Sequence, residues 1–280
     1  MAQHFNTQII SADSRQCYKE LNIGVAKPTL SELNLVQHYF INSHTINEDV
    51  NAGVFEKYAL EIANDIFINQ PIAIMVGGTG LYINAFCNGI DEMPSIPNNI
   101  RENIIINYKE KGLEWLQEEV KSKDSEFWET CEQQNPQRLM RALEIVETTG
   151  KSINFFKKNS KAIRPFNIIK IGLEIPKEQL QQNINIRVDD MTKNGLVNEV
   201  NSLLKDSKLN ALQTVGYKEL FEYFNGNCTL DFAIERIKIN TRQYAKRQMT
   251  WFKKDLSTKW FNAANKEDVI CYLVNELKSE

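Results

Sequence analysis

Four groups of side chains carry chemistry at spacings that invite a function. Asp13 stands in the run Ser11-Ala12-Asp13-Ser14-Arg15-Gln16, directly after a short β-prone stretch at residues 7–10. A carboxylate at a strand end can serve as a general base or hold Mg²⁺, and it can equally cap a turn or a helix. Gly77-Gly78-Thr79-Gly80 follows the wholly apolar run 72–76. Such a turn can bring N–H groups and a hydroxyl to an anion at a helix N-terminus. It can also be a tight strand-to-helix turn that needs glycine dihedrals. Gln137, Arg138 and Arg141 fall within one helical turn and share a face in the pairs i, i+3 and i, i+4. Their guanidinium groups could clamp phosphates or stack on bases, or pair with Glu144 or Glu147 on a solvated face. Finally, residues 236–254 hold seven basic side chains and no acidic one: Arg236, Lys238, Arg242, Lys246, Arg247, Lys253 and Lys254. Arg242, Lys246 and Lys253 lie on one stripe, with Ile234, Ile237, Tyr244 and Gln248 on another face. This segregation reads as a helix that faces a polyanion.

The elements that must position these groups follow from periodicity. Residues 7–10 and 72–76 read as strands, the second apolar enough to be buried on both faces. Between them, Phe55, Tyr58, Ala59, Ile62 and Ile66 recur at helical spacing over 54–68, and 81–86 reads as a helix after the glycine turn. Strand, helix, strand, glycine turn, helix is the order of a parallel α/β sheet, whose ligands bind beyond the carboxyl ends of the strands. From residue 100 to about 158 only helical patterns occur. Asn135-Pro136 is a helix start and Thr149-Gly150 a stop, which bounds a helix at 136–148. Strand character returns at 168–175, and helices are expected at 179–191, 197–204, 217–224, 231–251 and 268–277. The expected architecture is a parallel α/β core in two parts, 1–95 and 163–280, interrupted by an all-helical insertion at 96–162.

Composition narrows the class. The chain has 280 residues, 42% hydrophobic and 25% charged, with a net charge of −3. That suits a folded globular protein and excludes a globally basic nucleic-acid binder, though not a local basic face. No apolar run approaches the ~18 residues of a membrane-spanning helix, and the first residues show no secretory signal, so a cytoplasmic location is expected. Five scattered cysteines without a CxxC pair argue against a zinc site or a disulfide framework. The three histidines, His4, His38 and His44, show no metal spacing.

Six segments, in order along the whole chain, resemble the tRNA dimethylallyltransferases (isopentenyl-tRNA transferases). They are residues 9–18 around Asp13, Ile23-Gly24-Val25-Ala26-Lys27-Pro28-Thr29, Gly77-Gly78-Thr79-Gly80-Leu81-Tyr82, Gln137 to Glu144, Val215-Gly216-Tyr217-Lys218, and Arg242 to Trp251. The resemblance implies a P-loop-NTPase-like parallel sheet flanked by helices, with the helical insertion contacting tRNA. It implies transfer of a dimethylallyl group from dimethylallyl diphosphate to N6 of the adenosine 3′ of the anticodon, assisted by Mg²⁺. Asp13 takes the place of the base, with Thr79 and Arg187 as further catalytic contacts. The anticodon stem-loop would be held by Asp13, Ser14, Arg15, Gln16, Thr79, Arg101, Gln137, Arg138, Leu139, Met140 and Arg141. Gln213, Gly216, Tyr217, Lys218, Arg242, Lys246, Arg247 and Lys253 would complete the RNA surface. A monomer is expected.

The sequence departs from that family at three points. Family members begin with a strand and a Gly-x-x-x-x-Gly-Lys-[Ser/Thr] loop, and no such pattern occurs in the 280 residues. The expectation is therefore a chain lacking the first strand and P-loop, through a misassigned start or the decay of one gene copy. Asn42 stands where the family usually has Asp, and Cys17 replaces an aliphatic residue. The alternative function is a catalytically impaired paralogue that still binds tRNA. A relative that prenylates free adenine nucleotides is disfavoured, because a small acceptor needs neither the insertion nor the basic helix.

Overall fold

The computed structural model describes residues 1–158 and 161–278. Residues 159–160, at the end of the expected insertion, and 279–280 lie outside the described residues. The chain forms two compact units, Met1–Asn88 with Arg164–Glu280, and Gly89–Ile163.

The first unit opens with strand β1 (Ile9–Ser11), helix α1 (Leu30–Leu35), strand β2 (His38–Tyr39), helix α2 (Ala52–Asn69), strand β3 (Ile74–Val76) and helix α3 (Gly80–Asn88). The strands are parallel in the order β2-β1-β3, with Ile9 opposite His38 and Ile74, and Ser11 opposite Val76. The parallel register follows from the helical connections, which return the chain to the same end of the sheet. Asn51 starts α2 by accepting the N–H groups of Gly53 and Val54. The inner face of α2, with Phe55, Ala59, Ala63 and Ile66, then packs on the sheet core. Phe55 stacks on Tyr82 at 4.6 Å and meets Phe40 edge-on at 5.0 Å, which ties α2 and α3 to the chain after β2.

β3 corrects one expectation. The apolar run suggested a strand buried on both faces, but Val76 is 55% exposed. Among the described residues β3 is hydrogen-bonded only to β1, so it is an edge strand and its outer side lacks cover. α1 and β2 also show what periodicity misses. β2 is two residues long and α1 six, both too short to give a repeat.

The second unit is helical. Helix α4 (Asn98–Lys123) is broken at Gly112, whose φ of 79° is non-helical. It is followed by α5 (Ser125–Trp128), α6 (Pro136–Thr149) and α7 (Ile153–Phe156). α6 starts and stops where the sequence placed it. Asn135 accepts the Arg138 N–H, Pro136 opens the first turn, and Gly150 ends the helix at φ 69°. Leu139, Leu143 and Ile145 of α6 pack with Ile104, Leu116, Val120 and Phe127 into this unit's own core. Asp124 is buried there and satisfied, accepting the Phe127 N–H through Oδ1 and the Ile153 N–H through Oδ2.

The first unit resumes with strand β4 (Ile171–Glu174), helices α8 (Lys177–Lys193), α9 (Leu196–Ser202), α10 (Tyr217–Phe224) and α11 (Leu230–Phe252), strand β5 (Lys259–Asn262) and helix α12 (Lys266–Lys278). β4 and β5 pair in parallel, with Gly172 opposite Trp260. β5 has two charged or polar ends around Trp260 and Phe261 and carried no strand signal. It exists because β4 offers it a ladder. α8 and α10 pack on α11 and α9 packs on α8 and α10, and Val188, Leu196, Val200, Leu212, Tyr217, Leu220 and Ile237 join the core of this unit.

Candidate functional site

The carboxyl ends of β1 and β3 are laced together. The Ala12 N–H donates to the Val76 carbonyl at 2.7 Å, the Thr79 N–H to the Ala12 carbonyl at 3.2 Å, and the Ser14 N–H to Thr79 Oγ1 at 3.0 Å. Asp13 thus emerges from the central strand beside the glycine turn. Its Oδ1 accepts the N–H groups of Arg15 at 2.8 Å and Gln16 at 3.2 Å, an Asx turn that fixes the carboxylate. Oδ2 has no partner among the described residues. The turn reading and the catalytic reading of Asp13 are therefore compatible: one oxygen holds the turn and the other is left for a ligand. A cavity of about 210 Å³ opens here, lined by Ile9, Ser11, Asp13, Gln16, Pro28, His38, Val76 and Gly77.

The glycine turn needs its glycines for space, and Gly77, Gly78 and Gly80 are absent from the positive-φ positions. A Cβ on Gly77 would lie 2.8 Å from Ala12 Cα and closer to the Ala12 carbonyl. One on Gly78 would press on Gln248, whose Nε2 donates to the Gly78 carbonyl at 2.9 Å, and one on Gly80 would collide with the Trp251 ring. The expectation of special dihedrals is corrected accordingly: close approach by β1 and α11 is the reason for the sequence. α11 also brings Tyr244 to the site. Desolvation of its hydroxyl, followed by the charge of Asp13, raises the Tyr244 pKa. Tyr244 and His38 are site residues that the sequence reading did not select, and the wide chain separations left no signal for them.

The loop after Asp13 is held from several sides. Gln16 Nε2 donates to the carbonyls of Val25 and Ala26 at 3.2 and 3.0 Å, and its Oε1 accepts from Ser11 Oγ at 3.1 Å. Arg15 Nη1 donates to the Asn210 carbonyl at 2.9 Å. Lys27 Nζ donates to the Tyr18 carbonyl and to Asn42 Oδ1, both at 2.5 Å, so the asparagine supplies the acceptor oxygen an aspartate would. Cys17 fills the aliphatic position as a fully buried thiol, and burial pushes its pKa up to about 12.

The structure sorts the remaining expected RNA contacts. Leu139 is fully buried and Met140 is 8% exposed, so both are core residues of the helical unit. Gly216 is buried at φ 97°, and Tyr217 is fully buried with its hydroxyl donated to Glu199 at 2.6 Å. All four are packed into the two cores, where an apolar helix face and a helix N-terminus are needed. In the helical unit, Arg101 and Arg141 both pair with the buried Glu144, at 3.3 and 3.0 Å, while Arg138 and Gln137 are exposed. Ser14 is half-buried. Gln213 and Lys218 are exposed, although Gln213 Nε2 donates to the Ser207 carbonyl at 2.6 Å. Arg187 is exposed on α8.

The basic stripe of α11 is partly neutralised. Arg242 donates to Asn185 at 3.0 Å, Lys253 pairs with Glu174 at 3.1 Å, and Lys238 with Asp189 at 2.8 Å and Glu235 at 3.0 Å. Arg236, Lys246, Arg247 and Lys254 are exposed and make no ion pair among the described residues. The same residues contain no group of three His, Cys, Asp or Glu side chains able to hold a metal, and no helix long and apolar enough to cross a membrane.

Fold and site together define an α/β protein with a carboxylate and a crowded glycine turn at the carboxyl end of a parallel sheet. The comparisons with known proteins are more specific. The family model described as IPP transferase matches residues 16–255. A tRNA dimethylallyltransferase of Flavobacterium johnsoniae is 44% identical over 286 residues, covering 100% of this chain and 93% of the relative. The crystal structure of a tRNA isopentenylpyrophosphate transferase from Staphylococcus epidermidis superposes with a TM-score of 0.69 at 30% identity, covering 100% of this chain and 93% of that one. A eukaryotic dimethylallyltransferase, captured acting on tRNA, gives a TM-score of 0.72 at 25% identity over 95% of this chain and 70% of its own. This chain belongs to the IPP transferase family.

Proposed function

We propose that this protein is a tRNA dimethylallyltransferase, acting as a cytoplasmic monomer on the anticodon stem-loop. Dimethylallyl diphosphate would be the donor and N6 of the adenosine 3′ of the anticodon the acceptor. The N6–C1 bond forms, the C1–O bond to diphosphate breaks with its electron pair on the leaving group, and the N6 proton passes to Asp13. The observation that carries the reading is Asp13 itself. Its carboxylate is fixed by two N–H donors, keeps one oxygen unpartnered and lines the cavity beside Gly77. Such a group can orient an amine and take its proton, a contribution of about 10²–10⁴ in rate.

The acceptor base must leave its stack to reach that carboxylate, which calls for contacts that hold a splayed loop. Arg15 and Gln16 flank the site, and the exposed Lys246 and Arg247 of α11 supply cations for the backbone. On the helical unit, Arg101, Gln137, Arg138 and Arg141 would bind phosphate or base edges. The side-chain oxygens lining the cavity are hard and few: the Asp13 carboxylate, the Ser11 hydroxyl and the Gln16 amide oxygen. That set suits a Mg²⁺ that keeps its waters and relies on substrate phosphates for most of its ligands. When bound, Mg²⁺ supplies positive charge to the departing diphosphate.

The test is to incubate the protein with Mg²⁺, dimethylallyl diphosphate and unmodified tRNA, scoring binding and the mass gain of one prenyl group. Asp13→Asn should depress transfer at least about hundredfold while leaving tRNA affinity within about threefold. A near-normal rate in the variant would remove Asp13 as the base. Binding without transfer by the wild-type chain would favour a non-catalytic RNA-binding role.

A further inference from the structure

Glu199 lies on α9, 175 or more positions from residues 22–24, yet its carboxylate anchors that loop, which in turn braces Gln16 beside Asp13. Oε2 accepts the N–H groups of Asn22 at 3.1 Å and Ile23 at 2.8 Å. Oε1 accepts the Gly24 N–H at 3.0 Å and the Tyr217 hydroxyl at 2.6 Å. Four donors on one carboxylate, three of them consecutive backbone N–H groups, make an anion nest whose anion is a side chain of the same protein. Loop 22–26 lies against the Tyr217 ring so closely that a Cβ on Gly24 would stand 2.6 Å from it.

The next two residues connect this anchor to the chemistry. The carbonyls of Val25 and Ala26 are the acceptors for Gln16 Nε2. The Gln16 N–H in turn donates to Asp13 Oδ1, and its Oε1 accepts from Ser11. Ala26 sits at φ 48°, a left-handed conformation that an L residue keeps only when its surroundings hold it. Those surroundings are the bonds to Glu199 on one side and to Gln16 on the other. Lys27 adds a third tie, through Tyr18 and Asn42.

We infer that Glu199 is the positioning residue of the acceptor site: through loop 22–26 it sets Gln16, and through Gln16 the orientation of Asp13. The inference rests on the proposed function only for what the site does, and not for the linkage itself. Glu199→Gln is the sharp probe. With the NH₂ turned toward Asn22 and Ile23 both of their bonds are lost; turned toward Gly24 and Tyr217 it loses the Gly24 bond while the Tyr217 hydroxyl turns to accept, so one or two charge-assisted bonds are lost without a change of size.

The experiment combines hydrogen–deuterium exchange on the full chain with steady-state transfer kinetics. In Glu199→Gln, amides in 22–26 and 13–16 should exchange about tenfold faster or more, the size of one or two charge-assisted hydrogen bonds, with α2 and α11 unchanged. KM for tRNA should rise about tenfold by the same measure, while KM for dimethylallyl diphosphate stays within about twofold. Glu199→Asp, which keeps the charge, should fall between wild type and Gln on both scales. Unchanged exchange at 13–16, or faster exchange spread evenly over the first unit, would overturn the linkage. Faster exchange with an unmoved KM for tRNA would overturn its control of the site. If the wild-type chain transfers no prenyl group, the functional reading fails, and the exchange pattern alone still decides whether Glu199 positions Asp13.

Discussion

Replacing Gly77 by alanine tests whether the close approach of β1 and β3 sets the site. A Cβ there would lie 2.8 Å from Ala12 Cα, where ordinary contact begins near 3.4 Å, and the Ala12 carbonyl is nearer still. The obstacle is backbone, so no side chain can swing aside. The Ala12 carbonyl also accepts the Thr79 N–H, and the Ala12 N–H is bonded to Val76, so a shift of Ala12 loosens both ties. Relief requires Ala12 and Gly77 to part by about 0.6 Å at the Ala12 Cα and by more than 1 Å at its carbonyl oxygen. Overpacking of this kind costs about 1–3 kcal/mol of stability. Asp13 follows Ala12 directly, and a misplacement near 1 Å costs about hundredfold in rate, or roughly 2.7 kcal/mol of barrier. Gly53→Ala is the control. It sits in the first turn of α2 with a Cβ 3.4 Å from Asn51 Oδ1, and should be neutral or stabilising by about 0.5–1 kcal/mol. Single-turnover transfer to an anticodon stem-loop, with thermal melting alongside, reads both quantities. A Gly77→Ala protein with wild-type rate and melting temperature would refute the reasoning, because the crowding would then position nothing.

Two further outcomes are expected. Lys246→Ala with Arg247→Ala should lower the slope of log K for tRNA against log salt by about 1.4, two contacts at about 0.7 each, whereas Lys238→Ala should leave it unchanged because that ammonium is committed to Asp189 and Glu235. An unchanged slope in the double variant would mean this face of α11 does not meet RNA. Cys17, with its pKa raised to about 12, holds only about one part in ten thousand as thiolate at pH 8. It should resist alkylation in the native protein while the exposed Cys271 reacts, and reactivity of Cys17 should appear only as the pH rises toward 12 or the fold opens. Equal labelling of both at pH 8 would contradict its burial.

The order of elements was legible because helical repeats need only local sequence. Residues 54–68 and 136–148 show their apolar faces directly, and the caps Asn135 and Gly150 are local too. Asp13 and the glycine turn were also visible, since each follows a β-prone run that predicts a strand. What the sequence could not show was pairing. β5, the edge position of β3, the approach of Tyr244 to Asp13 and the bond from Gln248 to Gly78 all depend on contacts between residues dozens to hundreds of positions apart. The same holds for the sorting of charges and motifs. Residue type marked α11 as basic, but only packing decided that Lys238, Arg242 and Lys253 have ionic or hydrogen-bonded partners while Lys246 and Arg247 make no ion pair among the described residues. Residue type also marked Leu139, Met140 and Tyr217 as part of recognisable segments, and the cores then claimed them, since burying large apolar surface outweighs leaving it in water for a contact. The sequence by itself determined the long helices, the family and the carboxylate. The tertiary structure decided which side chains face a ligand, because exposure and partnership are properties of the packed chain.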